Sequence, residues 1–234
     1  MLEAQNISFA WKDALLLDNV TFSVASGEAV ALVGANGAGK TTLMRILAGV
    51  IVPSAGTVLA DGVDTFANPL RYHRLVGYLP ENCPAEPDMR VRDYLAYRAR
   101  LRGEMSKKIR HRVQEAISLC GLNECASGVI GRLSMGLRKR VALADALLLR
   151  PRFLLLDDLL AGLDAVTRAS LGRILAAVSS FAAVVVSGHE LDELEAHVGK
   201  FLVLKDGKML GAKTAAGARA LLLPTSQRKG EGAA

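Results

Sequence analysis

The sequence predicts an α/β protein with a mostly parallel sheet, an N-terminal antiparallel β layer and an inserted helical subdomain. Three observations support this prediction. An apolar run at 29–33 leads through a glycine-rich turn into an amphipathic helix at 43–48. A second, continuously apolar run, Phe153–Leu156, is typical of a central parallel strand. Between them, from about 88 to 150, apolar residues recur with helical spacing.

Length and composition limit the possible classes of protein. The 234 residues suffice for one α/β domain, or for a domain with a small subdomain. Hydrophobic residues make up 51%, yet no apolar run reaches the ~20 residues that span a bilayer, and no signal peptide is recognisable. The sequence therefore predicts a cytoplasmic protein, with one domain over 1–224 and a disordered tail over 225–234.

Charge and cysteine content are less informative. The net charge of +6 (29 − 23) is compatible with binding a nucleotide, nucleic acid or an anionic membrane surface, and favours none of them. Cys83, Cys120 and Cys125 are scattered, with no second pair at metal-ligand spacing. Reduced thiols are the favoured interpretation over a metal site.

The N-terminal part reads as strands. Residues 2–9 and 20–24 have the apolar patterns of an antiparallel layer. After the glycine-rich turn and its helix, 57–60 reads as a strand, and 75–79 reads as a short buried strand that ends before Glu81.

The glycine-rich turn at 34–42 reads GANGAGKTT and fits the phosphate-loop pattern G-x-x-x-x-G-K-[ST]. Glycines let the backbone turn its N–H groups toward anionic oxygens, and the following helix adds its positive end. Lys40 would reach the β- and γ-phosphates of a nucleotide, and the Thr41 hydroxyl would ligate Mg²⁺. The predicted binding residues here are Gly34, Asn36, Gly37, Gly39, Lys40, Thr41 and Thr42.

The later elements complete the pattern of a phosphate-loop (P-loop) nucleotide-hydrolase core. Arginines and lysines on the helical insert predict a solvated or partner-facing surface rather than a nucleic-acid patch, because aromatic residues between them are sparse. A helix is expected from about 133 to 149, followed by the strand Phe153–Leu156. Further elements are predicted as a helix at 167–178, a strand at 183–186, a helix at 190–197 and a strand at 201–204.

Two adjacent carboxylates end the second apolar run. Asp157 lies where P-loop enzymes place a Mg²⁺-anchoring carboxylate, because the ends of parallel strands face the nucleotide crevice. Asp158 follows it and suits the orientation of an attacking water. The other interpretation is a solvated turn, which the buried strand before it disfavours.

With these residues in view, the chain resembles the ATP-binding subunit of an ABC transporter over almost its whole length. The motifs, in the order of that family, are Walker A at 34–42, the Q-loop region at 77–81, the signature at 133–137, Walker B at 154–158, the D-loop at 161–164 and the switch histidine at 187–189. Residues 78–81 and 137–147 are most similar to ABC-2 type export ATPases, including the gliding-motility branch.

The resemblance implies a head-to-tail dimer with a second ATP-binding subunit, of the same or a different chain. Ser134 and Gly136 would bind the ATP held by the partner, and Asp164 of the D-loop joins the predicted nucleotide contacts. Asp158, His189 and Glu81 are the predicted catalytic residues, and Thr41, Glu81 and Asp157 the predicted Mg²⁺ ligands.

The resemblance also favours one of two roles left open for Trp11, the only tryptophan, which the sequence places in a link between strands. Packing and stacking on a purine ring are both possible, and the family's adenine-stacking aromatic lies at this position. Separate multi-span membrane permease subunits are implied, with this chain peripheral at the inner face of the cell membrane. No nucleic acid is expected.

The chain departs from the family pattern at several positions. Glu81 stands where the family usually has Gln, and Met135 and Leu137 replace the usual Gly and Gln of the signature. Asp158 stands where the family has its catalytic Glu and is one methylene shorter. Two hypotheses follow: a slow but genuine ATPase, or a hydrolysis-impaired subunit that regulates a competent partner. A soluble ABC ATPase acting on nucleic acid or cofactor assembly is a third alternative.

Overall fold

A computed structural model describes residues 1–12, 14–83 and 85–223. Within these residues the strands are β1 (Leu2–Trp11), β2 (Ala14–Val24), β3 (Ala29–Val33), β4 (Ala55–Ala60), β5 (Val63–Asp64), β6 (Val76–Leu79), β7 (Phe153–Leu156), β8 (Ala183–Gly188), β9 (Lys200–Lys205) and β10 (Lys208–Ala212). The helices are α1 (Lys40–Leu47), α2 (Pro69–Leu75), α3 (Val91–Leu101), α4 (Ser106–Leu119), α5 (Met135–Leu147), α6 (Ala165–Ser179), α7 (Leu191–Glu195) and α8 (Ala215–Leu222). The expected tail at 225–234 lies outside the described residues.

The larger sheet determines where the site lies. Its strand order is β10-β9-β3-β8-β7-β6, and every neighbouring pair is parallel except β10 with β9. The carboxyl ends of β3, β6, β7 and β8 therefore meet at one edge. Segments that follow these strands can place their side chains around a common crevice.

The central strands β3 and β7 are apolar throughout because both faces of the sheet are covered there. Ala31 and Val33 of β3 pack into a core shared with the helices α3 to α6. Val30 and Leu32 of the same strand pack into a second core, formed with α1 and the antiparallel layer. A strand buried on both faces has no polar side to show in its sequence.

The smaller sheet is antiparallel, with the order β2-β1-β4-β5. Its first strand is longer than the sequence indicated. Trp11 is the last residue of β1 and is paired with Ala14, so its predicted place in a link between strands is corrected. The ladder continues to Trp11 because pairing requires only the backbone groups of β1 and β2.

The helices α3, α4 and α5 lie between β6 and β7 along the chain. A buried carboxylate on α5 joins two of them: Asp145 accepts from Arg98 Nε at 3.1 Å and from Arg102 Nη2 at 3.0 Å, both on or next to α3. Buried charges require such partners. These two arginines therefore serve the fold, which corrects the prediction that all basic residues of the insert form a solvated or partner-facing surface.

Candidate nucleotide-binding site

The loop between β3 and α1 has the tight geometry that its glycines allow. Gly39, immediately before α1, has a φ of 97°, a left-handed conformation that favours glycine. A Cβ on Gly34 would lie 2.5 Å from the carbonyl oxygen of Leu204, so the loop passes directly against β9. Larger residues at either position would displace the loop from the start of α1.

Lys40 folds back across this loop. Its Nζ donates to the carbonyl oxygens of Gly34 at 2.9 Å and Ala35 at 3.0 Å. Burial lowers the pKa of Lys40, and the nearby charges of Asp158 and Asp157 oppose that shift. The amine is therefore held over the middle of the loop, near the two carboxylates that follow the carboxyl end of β7.

A cavity of about 390 Å³ lies between the loop and the sheet edge, a size typical of ligand sites. From the loop side it is lined by Asn36, Gly37, Gly39, Lys40, Thr41 and Thr42. From the side of β6, β7 and β8 it is lined by Glu81, Asp157, Asp158, Ser187 and His189. The structure thus brings the predicted loop residues, except Gly34, together with all three predicted catalytic residues.

Asp157 is the most buried acidic group at this edge, with 1% of its surface exposed. Its Oδ1 accepts from Ser187 Oγ at 2.6 Å and from Thr41 Oγ1 at 3.4 Å. Within the described chain its buried Oδ2 has no hydrogen-bond partner. Hard divalent cations bind such oxygens. Thr41 and Asp157 therefore fit a Mg²⁺ site, and Glu81 lines the same cavity.

Asp158, the second residue after β7, has an uncommon backbone conformation. Its φ is 50°, in the left-handed region, and its N–H donates to Ser187 Oγ at 2.9 Å. Its Oδ1 lies 3.7 Å from His189 Nδ1, and both side chains are partly exposed. A carboxylate with an imidazole beside it can accept a proton from a bound water.

Ser187 joins these two aspartates, and sequence reasoning did not assign it a role of its own. The hydroxyl donates to the Asp157 carboxylate and accepts from the backbone N–H of Asp158, so it fixes the Asp157 carboxylate relative to the backbone of Asp158. One signal was available: a serine that ends the apolar strand 183–186 must lie at the same sheet edge as Asp157.

Tyr78 is a second residue without a predicted role of its own. Burial, and then the charge of Asp157, raise the pKa of Tyr78 to about 12. The phenol therefore stays protonated beside the buried carboxylate. The sequence alone did not indicate this contact with Asp157, because a tyrosine in a strand is common.

Three predicted site residues lie away from this cavity. Ser134 is exposed and caps α5, where its hydroxyl accepts from Leu137 N at 3.3 Å. A Cβ on Gly136 would lie 2.6 Å from Cγ2 of Thr167, so the start of α5 packs closely on α6. Asp164 caps α6: bonds from the N–H and the hydroxyl of Thr167 lower the pKa of Asp164. None of the three lines the loop cavity of its own chain.

Trp11 is also separate from the loop cavity. It lies at the end of β1 with 61% of its surface exposed. Among the described residues, Leu16 rather than Trp11 lines the cavity. Stacking of Trp11 on an adenine ring stays a prediction.

A known protein family matches the part of the chain that contains most of the residues lining this cavity. The family model described as "ABC transporter" matches residues 17–161, which include the loop, the signature and both aspartates. The chain belongs to the ABC transporter family. Its relatives within that family are named as ATP-binding proteins.

Three relatives illustrate the range of functions. The ABC transporter ATP-binding protein YxlF of Bacillus subtilis is 32% identical over 209 residues, 89% of this chain and 69% of its own. The sulfate/thiosulfate import protein CysA of Methylococcus capsulatus is 39% identical over 176 residues, 74% of this chain and 50% of its own. The Nod factor export ATP-binding protein I of a Rhizobium strain is 29% identical over 210 residues, 89% of this chain and 69% of its own. This chain therefore spans half to about two thirds of these relatives, one of which is named for import and one for export.

Solved structures confirm the predicted fold class. The ATP-binding subunit of an ABC transporter superposes with a TM-score of 0.81 at 26% identity, covering 91% of this chain and 90% of the other. A dimeric ATP-binding cassette with ADP and phosphate also superposes with a TM-score of 0.81, at 24% identity, covering 91% of this chain and 98% of the other.

Across the described part of this ABC protein, every helix is too short or too polar to cross a bilayer.

Proposed function

We propose that this chain is a transporter's ATP-binding subunit, which binds and hydrolyses ATP in a head-to-tail dimer and powers transport through separate membrane subunits. The observation that supports this proposal most strongly is the cavity lined by Lys40 and Thr41 on one side and by Asp157 and Asp158 on the other. Residues 1–224 form the ATP-binding domain in this proposal, with the helical subdomain inserted at about 88–150.

Binding in this proposal begins at the loop. The backbone N–H groups of 34–42 and the N-terminus of α1 surround the phosphates, and Lys40 releases the carbonyls of Gly34 and Ala35 to contact the β- and γ-phosphates. Thr41, Asp157 and Glu81 hold Mg²⁺, which neutralises charge on the phosphates. Trp11 stacks on the adenine.

Hydrolysis in this proposal depends on Asp158. Its carboxylate, at 3.7 Å from the imidazole of His189, orients a water and accepts its proton. The His189 imidazole lies beside this carboxylate, and both line the cavity. Asp158 is one methylene shorter than the family's Glu, and a displacement of about 1 Å can cost on the order of 100-fold in rate. We therefore propose a slow ATPase.

The dimer completes the site. Ser134 is exposed and remote from its own chain's cavity, so its hydroxyl and the Gly136 backbone are available to a nucleotide on a second chain. Positive helix ends attract phosphate, and Ser134 precedes the first turn of α5. Asp164 caps the start of α6, the helix against which Gly136 packs.

The membrane partner docks beside the helical insert in this proposal. A cavity of about 680 Å³ opens between α2, β6, α3 and α5, and Leu70 and Leu101 at its border are 85% and 60% exposed. Apolar side chains exposed at a groove are typical of an interaction surface. The chain would then lie in the cytoplasm at the inner face of the cell membrane, and export follows from the ABC-2 resemblance.

A second candidate function is favoured by Asp158 itself. If the shorter carboxylate does not support turnover, the chain is an ATP-gated subunit that regulates a competent partner in a heterodimer. Binding of ATP and dimer formation are common to both functions, and only the fate of the bound ATP differs.

The first experiment measures Mg-ATP hydrolysis by the purified chain over a wide range of protein concentration. We expect the rate per subunit to rise with concentration and then level off, because the active site forms only between two chains. The control is the Asp158→Asn variant, and its hydrolysis rate is subtracted from that of the wild type as background. A rate per subunit that stays constant down to nanomolar protein, with monomers confirmed by light scattering, would contradict the dimer.

A further inference from the structure

The strongest unassigned feature is a buried lysine on α5. Lys139 is 8% exposed, and its Nζ donates to the carbonyl oxygens of Asp158 at 3.3 Å, Leu159 at 2.8 Å and Ala161 at 2.7 Å. An ammonium group has three N–H donors. Each of them thus has an acceptor in the segment that follows β7.

A lysine in this position needs a reason, because buried lysines are rare unless paired. Burial lowers the pKa of Lys139, while the charges of Cys83, Asp158 and Glu81 act in the opposite direction.

The segment that Lys139 contacts begins with Asp158 in a left-handed conformation, and Ser187 accepts from the N–H of Asp158. Within the segment, Ala161 N–H donates to the Asp158 carbonyl at 3.3 Å, and the Leu159 side chain is buried in the core. Lys139 therefore adds three hydrogen bonds that anchor the peptide carrying the Asp158 carboxylate.

We propose that Lys139 is a positioning residue that holds Asp158 in place for hydrolysis and joins it to the helix that starts at the signature. This inference rests on the proposed function. Ser134 caps α5, and Lys139 follows it on the same helix, about one and a half turns later. One rigid helix therefore contacts the partner's nucleotide at its start and the chain's own catalytic segment through Lys139.

The consequence is a mechanical link between the two ATP sites of the dimer. Movement of α5 when Ser134 engages the partner's nucleotide shifts the carbonyls of 158–161 through the Lys139 amine. Binding of ATP at the chain's own loop does not involve Lys139, because Lys40 and Thr41 lie on α1.

The test compares Lys139→Met, Lys139→Arg and Lys139→Gln with Lys107→Met, a control that removes an exposed lysine from α4. For Lys139→Met we expect nucleotide affinity to change less than about twofold and kcat to fall by tenfold or more, toward the roughly 100-fold cost of a 1 Å displacement. Lys139→Arg restores part of kcat, because it retains N–H donors.

Amide hydrogen exchange supplies a readout that needs no turnover. In Lys139→Met we expect faster exchange confined to peptides covering 158–161, with the remaining peptides unchanged. Faster exchange over the whole chain, or a proportional loss of nucleotide binding and kcat, would indicate general destabilisation and would overturn the proposal. Lys139→Gln is measured in the same way should Lys139→Met not fold.

The two proposals fail in different ways. A wild-type chain that hydrolyses ATP, beside a Lys139→Met chain with unchanged kcat and unchanged exchange at 158–161, overturns the role of Lys139 alone. A wild-type chain that neither binds nor hydrolyses ATP overturns the proposed function.

Discussion

Replacing Lys40 by methionine is expected to weaken ATP binding by about 100-fold, the effect of losing a charge-assisted hydrogen bond to phosphate. The amine lies over the centre of the glycine-rich loop, where it donates to the carbonyls of Gly34 and Ala35. Methionine retains the length of the side chain but provides no N–H donor and no charge.

The measurement is the Kd for Mg-ATP by titration, with Lys107→Met as the control for loss of one exposed lysine. Thermal unfolding is recorded in parallel, because Lys40 also closes the loop in the nucleotide-free chain. Unchanged ATP affinity in a folded Lys40→Met protein would mean that the cavity is not the nucleotide site.

Replacing Asp158 by asparagine is expected to reduce kcat by at least about 100-fold, the lower limit for loss of a general base. The amide cannot accept a proton from water, whereas the site otherwise stays intact, because Ser187 bonds the backbone of Asp158 and not its carboxylate. ATP affinity should therefore change little.

Asp158→Glu is the matched variant for this prediction, since it keeps the charge and adds one methylene. We expect it to be at least as active as the wild type. A wild-type rate equal to that of Asp158→Asn, with a clear gain in Asp158→Glu, would show that the natural site is impaired and would favour the regulatory function in a heterodimer.

Much of the site was predictable because it is local in sequence. The loop 34–42 needs glycines, a lysine and a helix start within nine positions, and the apolar run before Asp157 reveals a strand end. Parallel strands then bring such ends together without further information. The cavity that joins Lys40 to Asp157 follows from these rules.

Other features depend on contacts between distant residues. Lys139 reads as one of several basic residues in a helix, and only the packing of α5 shows that its amine reaches the carbonyl of Leu159. Arg98 and Arg102 likewise have the sequence pattern of solvated residues, although both donate to the buried carboxylate of Asp145. A pattern of charges along the chain does not reveal which partner each charge finds.

The C-terminal elements were missed for a different reason. The strand β10 contains two glycine or alanine positions and alternates weakly, and α8 is short. Thr214 begins α8 by accepting from the N–H of Gly217 at 3.1 Å, a cap whose sequence signal is modest. Antiparallel pairing with β9 makes β10 a strand.

The most direct test of the head-to-tail dimer is a mixing experiment with two inactive variants. Lys40→Met lacks the loop lysine, and Ser134→Glu places a negative charge at the exposed start of α5, where the proposed dimer would bring the partner's phosphates. Each variant alone should be inactive, because both sites of its dimer are damaged. In an equimolar mixture, half of the dimers contain both chains, and each of these has one intact site. We predict about a quarter of the wild-type rate per subunit; a mixture no faster than either variant alone would contradict a site shared between two chains.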